Sequence, residues 1–261
     1  MKLSVSNIGW DVEDNEKILN LLKNKKFNAI EIAPTALIGE NPYDNIKNAK
    51  EITDSINEKY NLEISSMQSI WYGKNGNIFN KEDANMFIDY TKLAIDFANA
   101  INCKNLVFGC PKNRIIPDGF NKKDIIYFFR EIGEYANSNN TTVSIEPNPT
   151  IYGTNFINYT NEAFEFCKEI NSKGIKVNVD FGTIIQNNEN LDEIANNINL
   201  INHIHISEPN LAKIKSRKEH LELYKILKKS EYDKYISIEM KKTENIKDII
   251  ETIEYVKNIF E

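Results

Sequence analysis

Short runs rich in β-branched residues alternate with longer amphipathic segments from one end of the sequence to the other. Segments such as EKILNLLKNKK (16–26) and ANMFIDYTKLAIDFANAI (84–101) have helical periodicity, and a last one, IKDIIETIEYVKNIF (246–260), closes the chain. Eight strands and eight helical segments, at about one unit per 30 residues, predict an α/β fold, a single (β/α)8 barrel. The strand-like runs are KLSVSNI (2–8), NAIEIA (28–33), LEISSMQS (62–69), NLVFGC (105–110), TVSIEPN (142–148), KVNVD (176–180), NHIHIS (202–207) and YISIEM (235–240).

The chain has 261 residues, close to the usual length of one such barrel, and no Pro/Gly/Ser-rich linker interrupts it. We therefore expect residues 1–261 to form one domain. The first residues lack the apolar segment of a signal peptide, and no apolar run is long enough for a membrane span. The cysteines Cys103, Cys110 and Cys167 show no zinc-type pairing and are interpreted as reduced thiols. These features predict a cytoplasmic protein without a membrane partner.

The composition of the chain bears on which classes of molecule it can bind. Charged residues make up 27% and hydrophobic residues 41% of the chain, as in ordinary globular proteins. The formal net charge of −6 argues against a nucleic-acid partner that is bound by bulk charge neutralisation. A homo-oligomer is compatible with the sequence. The frequent asparagines are interpreted as a compositional bias without structural meaning.

Four consecutive strands have an unusual pattern. Strands of parallel sheets are usually continuous apolar runs, whereas VSIE (143–146), VNVD (177–180), HIHI (203–206) and ISIE (236–239) alternate apolar and polar residues. Because side chains alternate faces along a strand, the apolar set should meet the helices and the polar set the barrel interior. Buried polar groups without partners are unfavourable. The pattern therefore indicates that the polar face binds something.

Four of these polar residues, Glu146, Asp180, His205 and Glu239, stand at or near the C-terminal strand ends, where barrel enzymes carry their active sites. Neighbouring strands are about 4.8 Å apart, so the four side chains can converge. Three converging carboxylates repel one another unless a cation lies among them. Three oxygen donors and one imidazole predict one divalent metal ion, Mn²⁺ first and then Mg²⁺, Co²⁺ or Zn²⁺.

The motifs IEP (145–147), VDFGT (179–183), HIHISEP (203–209) and SIEM (237–240) together resemble the xylose isomerase-like TIM-barrel superfamily, and the resemblance covers the whole chain. This group includes sugar and sugar-phosphate isomerases and epimerases, together with DNA repair enzymes of the endonuclease IV type. In its ketose 3-epimerase branch, the matching Glu, Asp, His and Glu bind one divalent metal, and the two glutamates also move the proton. The resemblance thus implies a metal-dependent isomerase or epimerase with a carbohydrate substrate.

The chemistry of these residues agrees with that role. Isomerisation takes a proton from a carbon next to a carbonyl through an enediolate, which a metal stabilises. A carboxylate on each side of the substrate can act as base and acid. The resemblance therefore implies that Glu146 and Glu239 are ligands and acid/base catalysts, whereas Asp180 and His205 are ligands only.

The neighbours of these residues have other expected roles. His203 shares the inner face with His205 but lies one layer deeper, so we expect a hydrogen-bonded interior residue. Glu208 lies past the strand end, and we expect it on the substrate side or behind the ligands. Arg217 and His220, in RKEHLELYKILKK (217–229), are interpreted as solvated helix residues.

Loops at the same end of the barrel contain further candidates. Cationic residues after strands four and eight suggest an anionic handle on the substrate, with solvent-facing side chains as the alternative. Aromatic residues such as Trp10 and Tyr72 are candidate walls or core residues, and Glu31 is left open between substrate hydroxyls and a cationic partner. The expected substrate contacts are Gln68, Trp71, Lys112, Arg114, Glu208 and Lys241.

The sequence also departs from the family that it resembles. Thr183 stands where the epimerases often have a histidine that touches substrate oxygens, and their arginine after the HxxE segment has no secure counterpart. The identity of the sugar and its phosphorylation are therefore not predicted. Three alternatives stay open: a dehydratase of a polyol or sugar acid with the same metal site, an endonuclease IV-type phosphodiesterase, and a non-catalytic barrel. The phosphodiesterase would need many histidines, and the chain has three.

Overall fold

The structure, a computed structural model, describes residues 1–120 and 122–261, and side chains at 122–124 are outside its scope. Eight strands pair in parallel in chain order, and the last pairs with the first to close a barrel. The predicted (β/α)8 barrel is confirmed. The strands are β1 (Lys2–Ser6), β2 (Ala29–Ile32), β3 (Glu63–Met67), β4 (Leu106–Phe108), β5 (Val143–Ile145), β6 (Ile175–Asp180), β7 (Ile201–Ile206) and β8 (Tyr235–Ile238).

Helices surround the barrel. The described part of the chain contains ten α-helices where eight helical segments were expected, because β2 and β6 are each followed by two helices. The helices are α1 (Asn15–Asn24), α2 (Pro34–Ile38), α3 (Ile46–Tyr60), α4 (Lys81–Ala100), α5 (Lys122–Ser138), α6 (Thr160–Ile170), α7 (Phe181–Asn187), α8 (Asp192–Asn196), α9 (Lys218–Lys229) and α10 (Lys247–Phe260). No helix of this described part is both long and apolar enough to span a bilayer.

The main apolar core lies between the strands and the helices. Phe108 of β4, Phe129 of α5 and Phe166 of α6 pack edge to face, with ring centroids 5.1 and 5.2 Å apart. Such contacts add to the apolar surface that the rings remove from water. The outward-facing half of each alternating strand therefore belongs to this layer, as the sequence pattern predicts.

The inward-facing half is polar and makes its own hydrogen bonds. Ser4 and Ser65 bring their hydroxyl oxygens to 2.6 Å across the barrel. Ser144 donates to Asn105 Oδ1 at 2.6 Å, and Asn105 Nδ2 donates to Ser66 Oγ at 2.9 Å. These bonds pair part of the deeper interior, whereas Ser237 Oγ and Asn178 Oδ1 are buried without a hydrogen-bond partner within the described ranges. The carboxylates at the C-terminal strand ends lie above this layer.

Asparagine has a structural role that its interpretation as a compositional bias missed. Among the non-glycine residues with positive φ in the described chain, seven of thirteen are asparagines. Asn61, Asn171 and Asn188 are the left-handed C-caps of α3, α6 and α7. Asparagine enters this region more readily than other residues with a Cβ atom. The asparagines thus end helices where many proteins use glycine.

The expectation that His220 is solvated is wrong. The side chain is fully buried, its Nδ1 lies 2.9 Å from the Tyr255 hydroxyl, and its ring packs against Phe181 with centroids 4.7 Å apart. Burial lowers the pKa of His220 to about 4, although Glu208 and Glu219 oppose this shift. His220 is therefore a neutral core residue near neutral pH.

This burial predicts a pH-dependent stability. The unfolded chain gains a proton on His220 near pH 6.5, whereas the folded protein gains it only near pH 4. The free energy of unfolding should therefore fall as the pH is lowered through this window, by up to about 1.4 kcal/mol per pH unit. In urea titrations, the free energy of unfolding should fall less between pH 7 and pH 5 for His220→Phe than for the parent protein. Equal losses in the two proteins would contradict the assignment.

Candidate active site

Four side chains from four consecutive strands meet at the C-terminal end of the barrel. Glu146 and Glu239 directly follow β5 and β8, Asp180 ends β6, and His205 lies within β7. One ligand atom from each residue lies within 4.8 Å of all the others, and all four residues are buried. The parallel register brings them together by pairing Asp180 with His205 on neighbouring strands. The structure thus assembles the four residues that the sequence singles out.

His205 is held by a carboxylate on the far side of its ring. Its Nε2 lies 2.9 Å from Glu31 Oε2, whereas its Nδ1 lies 2.9 Å from Glu146 Oε1 and 3.2 Å from Glu239 Oε2. A proton on Nε2 donated to Glu31 leaves Nδ1 free as a ligand, the usual arrangement behind metal-binding histidines. Glu31, which the sequence left without an assignment, therefore orients the His205 ring. His203 lies deeper, with its Nε2 3.1 Å from Glu31 Oε2.

Asp180 is fixed by the helix that it begins. Its Oδ2 accepts a hydrogen bond from the Thr183 backbone N–H at 2.7 Å, as the N-cap of α7. The Thr183 hydroxyl lies 2.7 Å from the same oxygen and 2.9 Å from the Pro147 carbonyl. Ser207 donates to Asp180 Oδ1 and accepts from the Gly182 N–H at 2.8 Å. Thr183 therefore positions the carboxylate in this chain.

Glu146 is held by two amide side chains. Asn178 Nδ2 donates to its Oε1 at 2.7 Å, and Asn148 Nδ2 donates to its Oε2 at 3.1 Å. A Cβ atom at Gly109 would lie 2.7 Å from Glu146 Oε2, which is closer than real contacts allow. The absence of a side chain at Gly109 therefore leaves room for this carboxylate.

The cluster is electrostatically unfavourable without a cation. Burial, with Glu146 and Asp180 nearby, raises the pKa of Glu239 to about 7 even though His205 opposes the shift. Burial and Glu146 also raise the pKa of Asp180. Burial disfavours the His205 imidazolium, but Glu239 and Glu31 raise its pKa well above the usual value. The raised pKa values of Glu239 and Asp180 favour their neutral forms, as expected for carboxyl groups that crowd one another.

A divalent cation fits this donor set. Two ligands on opposite sides of a cation bound at about 2.2 Å are about 4.4 Å apart, and the four donor atoms lie within 4.8 Å of one another. Carboxylate oxygens with one imidazole nitrogen suit Mn²⁺ and its neighbours in hardness. Glu31, His203 and His205 form a second close group, which shares His205 with the first.

A cavity of about 200 Å³, here called the inner cavity, opens onto these carboxylates. Glu146, Asp180 and Glu239 line it. Three non-glycine residues with left-handed backbone also line it, namely Ser69, Cys110 and Leu211. Backbone in this region is unfavourable for residues with a side chain and is concentrated at functional sites. The unfavourable backbone thus lies where the loops meet the inner cavity.

Two of the expected substrate contacts are core residues. Arg114 is fully buried, and its Nη2 donates to the Glu146 carbonyl at 2.9 Å and to Asn148 Oδ1 at 2.7 Å. Trp71 is buried against Phe87, and its Nε1 donates to Thr91 Oγ1 at 3.0 Å. The burial of Arg114 corrects the expectation that it contacts substrate. Trp71 is also buried, although it borders a second cavity at this end of the barrel.

Glu208 also has an internal partner. Arg217 donates to both of its oxygens, at 2.6 and 2.5 Å, and the Lys215 N–H donates to Oε1 at 3.2 Å. This bidentate pair holds the loop after β7. It corrects two expectations, a substrate contact for Glu208 and a solvated Arg217.

The remaining candidates differ in position. Gln68 lines the inner cavity, and its Nε2 donates to Ser6 Oγ at 2.6 Å. Lys112 and Lys241 are exposed, and Lys112 lies outside the inner cavity. Trp10 is buried, with its Nε1 bonded to Asn15.

Sequence reasoning missed several residues of the site. Asn178 has the inward parity of Asp180, so strand alternation was a signal for it. Asn148, Tyr152 and Leu211 lie in loops, where no periodicity predicts the direction of a side chain. Tyr152 lines the inner cavity, and its hydroxyl accepts from the Asn210 N–H at 2.8 Å.

The fold is thus a closed parallel barrel with three carboxylates and a histidine clustered at its C-terminal end. The family model of the xylose isomerase-like TIM barrel matches residues 19–259. The chain belongs to this family, and the resemblance that the motifs suggested is confirmed.

Solved structures with the same fold include several epimerases. The 3-keto-D-glucoside 4-epimerase of E. coli aligns with a TM-score of 0.78 and 17% identity over 99% of each chain. The D-psicose 3-epimerase of Clostridium cellulolyticum H10 aligns with a TM-score of 0.73 and 15% identity over 100% of each chain. An AP endonuclease of family 2 from Brucella melitensis aligns with a TM-score of 0.70 and 19% identity, over 95% of this chain and 96% of the endonuclease. A comparison with curated proteins gives no significant match.

The Glu31–His205 contact predicts a change in metal affinity. Glu31→Gln keeps the shape of the side chain but removes the charge behind the ligand, so the dissociation constant for Mn²⁺ should rise about 10- to 100-fold. Titration calorimetry of the metal-free protein measures this change. The exposed Glu222→Gln serves as the matched control. An unchanged constant in Glu31→Gln would show that Glu31 does not support the ligand.

Proposed function

We propose that this protein is a metal-dependent sugar or sugar-phosphate isomerase or epimerase, and that residues 1–261 form its catalytic domain. The observation that carries the proposal is the convergence of Glu146, Asp180, His205 and Glu239, whose three carboxylates line one cavity. The family and the similarity to proteins named as sugar epimerases support it. The three free thiols agree with a cytoplasmic protein.

We propose that the site binds one divalent ion, with Mn²⁺ as the first candidate, through Glu146, Asp180, His205 and Glu239. When bound, the ion polarises the substrate oxygens and stabilises negative charge on the enediolate. Glu31 keeps His205 Nδ1 directed at the cluster, and Thr183 with Ser207 keeps Asp180 in place. The protein thus supplies donors whose directions are set before a substrate arrives.

Glu146 and Glu239 move the proton. They follow β5 and β8 and both line the inner cavity, so a sugar bound there faces two carboxylates. One carboxylate removes the proton from the carbon next to the carbonyl, and the other returns a proton from its own side. Return to the opposite face gives an epimer, and return to the neighbouring carbon gives an isomer. Gln68, on the wall of the cavity, is placed to bind a sugar hydroxyl.

The alternatives have less support from the site. A three-metal phosphodiesterase needs many histidines, and His205 is the one imidazole in the carboxylate cluster among the described residues. A dehydratase would use the same residues but would lose water from the sugar. A non-catalytic barrel gives no reason to bury three carboxylates against one cavity.

Proton exchange tests the proposal. The Mn²⁺-loaded protein is incubated in D2O with a panel of free ketoses, aldoses, glycosyl-ketoses and sugar phosphates, and carbon-bound deuterium is followed by NMR. We expect deuterium at the carbon next to the carbonyl, without loss of water. Glu239→Gln should lower the exchange rate at least about 100-fold, since general acid–base catalysis contributes this much, whereas the surface variant Glu222→Gln should exchange normally.

The outcomes separate the hypotheses. Loss of water indicates the dehydratase, and absence of exchange with every sugar in a protein that binds Mn²⁺ indicates the non-catalytic barrel. Normal exchange in Glu239→Gln overturns the acid/base assignment and leaves the reaction class intact.

A further inference from the structure

A second cavity adjoins the inner cavity. This outer groove has a volume of about 480 Å³, against about 200 Å³ for the inner cavity. The two share Ser69, Cys110 and Pro111 as lining residues. The inner cavity is of a size to hold one sugar ring beside the carboxylates, so a larger substrate would extend beyond it, and the outer groove shares more of its wall than the other neighbouring cavity at Ser69 does.

The wall of the outer groove is fixed before any ligand binds. Asn113 Nδ2 donates to the carbonyls of Lys74 and Gly76 at 3.2 and 3.0 Å, and the Ile78 N–H donates back to the Asn113 carbonyl at 2.9 Å. Asn77 Nδ2 adds a bond to the Ile115 carbonyl at 2.7 Å. These bonds join the loop after β3 to the loop after β4. A preformed wall lowers the ordering cost of binding.

The chemistry of this wall suits a neutral saccharide. Tyr72 keeps 71% of its surface exposed in the groove, although the neighbouring Trp71 is buried. An aromatic ring beside amide and ammonium groups matches a sugar, whose C–H face stacks on rings and whose hydroxyls form hydrogen bonds. The ammonium group of Lys112 also lines the groove and can donate to a hydroxyl.

A phosphate group fits these observations less well. It would leave most of the groove volume empty and would gain nothing from Tyr72. Arg114, which could have bound phosphate bidentately, is buried and bonded to the Glu146 carbonyl. Lys74 already has its Nζ 4.4 Å from the centre of the Tyr90 ring.

We infer that the substrate carries a second ring-sized glycosyl group, and that the outer groove binds this group against Tyr72. The inference rests on the proposed function and adds the substrate class, a glycosylated sugar. The sugar that carries the carbonyl group occupies the inner cavity, and its partner ring passes over Ser69 and Pro111.

Matched pairs of sugars test this inference. Deuterium exchange in D2O is measured for fructose against its glycosylated forms isomaltulose, turanose and lactulose, and for any other ketose that exchanges against its own glycoside. We expect kcat/KM for at least one glycosylated form to exceed that of the free ketose by about tenfold or more. Fructose 6-phosphate is the anionic comparison.

A substitution at Tyr72 tests whether the second ring binds in the outer groove. Tyr72→Ala should raise KM for the preferred glycosylated ketose about tenfold more than KM for the free ketose. Tyr127→Ala is the matched control, since Tyr127 on α5 is 66% exposed and lies outside both cavities. It should leave both constants unchanged.

Each outcome is decisive. Higher kcat/KM for the free ketose, or equal effects of Tyr72→Ala on the two sugars, overturns the inference while the proposed function stands. Preference for fructose 6-phosphate, lost in Lys112→Ala, overturns it in favour of an anionic handle. Absence of exchange with every sugar of the panel overturns the proposed function and this inference together.

Discussion

Repulsion among three buried carboxylates is the constraint on which the arrangement of the site depends. Hydrogen bonds hold Glu146 and Asp180 in place against this repulsion, and the crowding favours the protonated forms of Asp180 and Glu239. Amide groups hold Glu146, a helix N-terminus and two hydroxyls hold Asp180, and Glu31 acts on the carboxylates indirectly through His205. The barrel supplies these groups from neighbouring strand ends. The fold therefore holds three carboxylates and an imidazole close enough together to bind a metal ion.

Strand alternation made the cluster at the C-terminal strand ends predictable. In HIHI, Ile204 and Ile206 face the helices, whereas His203 and His205 face the interior, and the same parity applies to the Glu and Asp residues at the other three strand ends. A repeat of two residues fixes the face of a side chain, and parallel pairing fixes its height. Both follow from backbone geometry, which a sequence pattern reports directly. The barrel and the four converging residues follow from this pattern.

The positions of loop side chains could not be predicted in the same way. Trp71 and Tyr72 are neighbours in sequence, yet one is buried in the core and the other is exposed at the outer groove. Arg114 and Glu208 resemble substrate contacts by type and position, but each finds a partner within the protein. The fold brings these partners together from positions 9 to 34 residues apart in sequence. No local pattern contains that information.

The asparagines at the helix ends have a consequence for the unfolded chain. A glycine at each of these positions would adopt positive φ without strain, but it would also give the unfolded chain more backbone freedom to lose on folding. Asn61, Asn171 and Asn188 adopt the same turn with a side chain that narrows the unfolded ensemble. The protein has ten glycines in 261 residues. Its turns thus limit the entropy lost on folding.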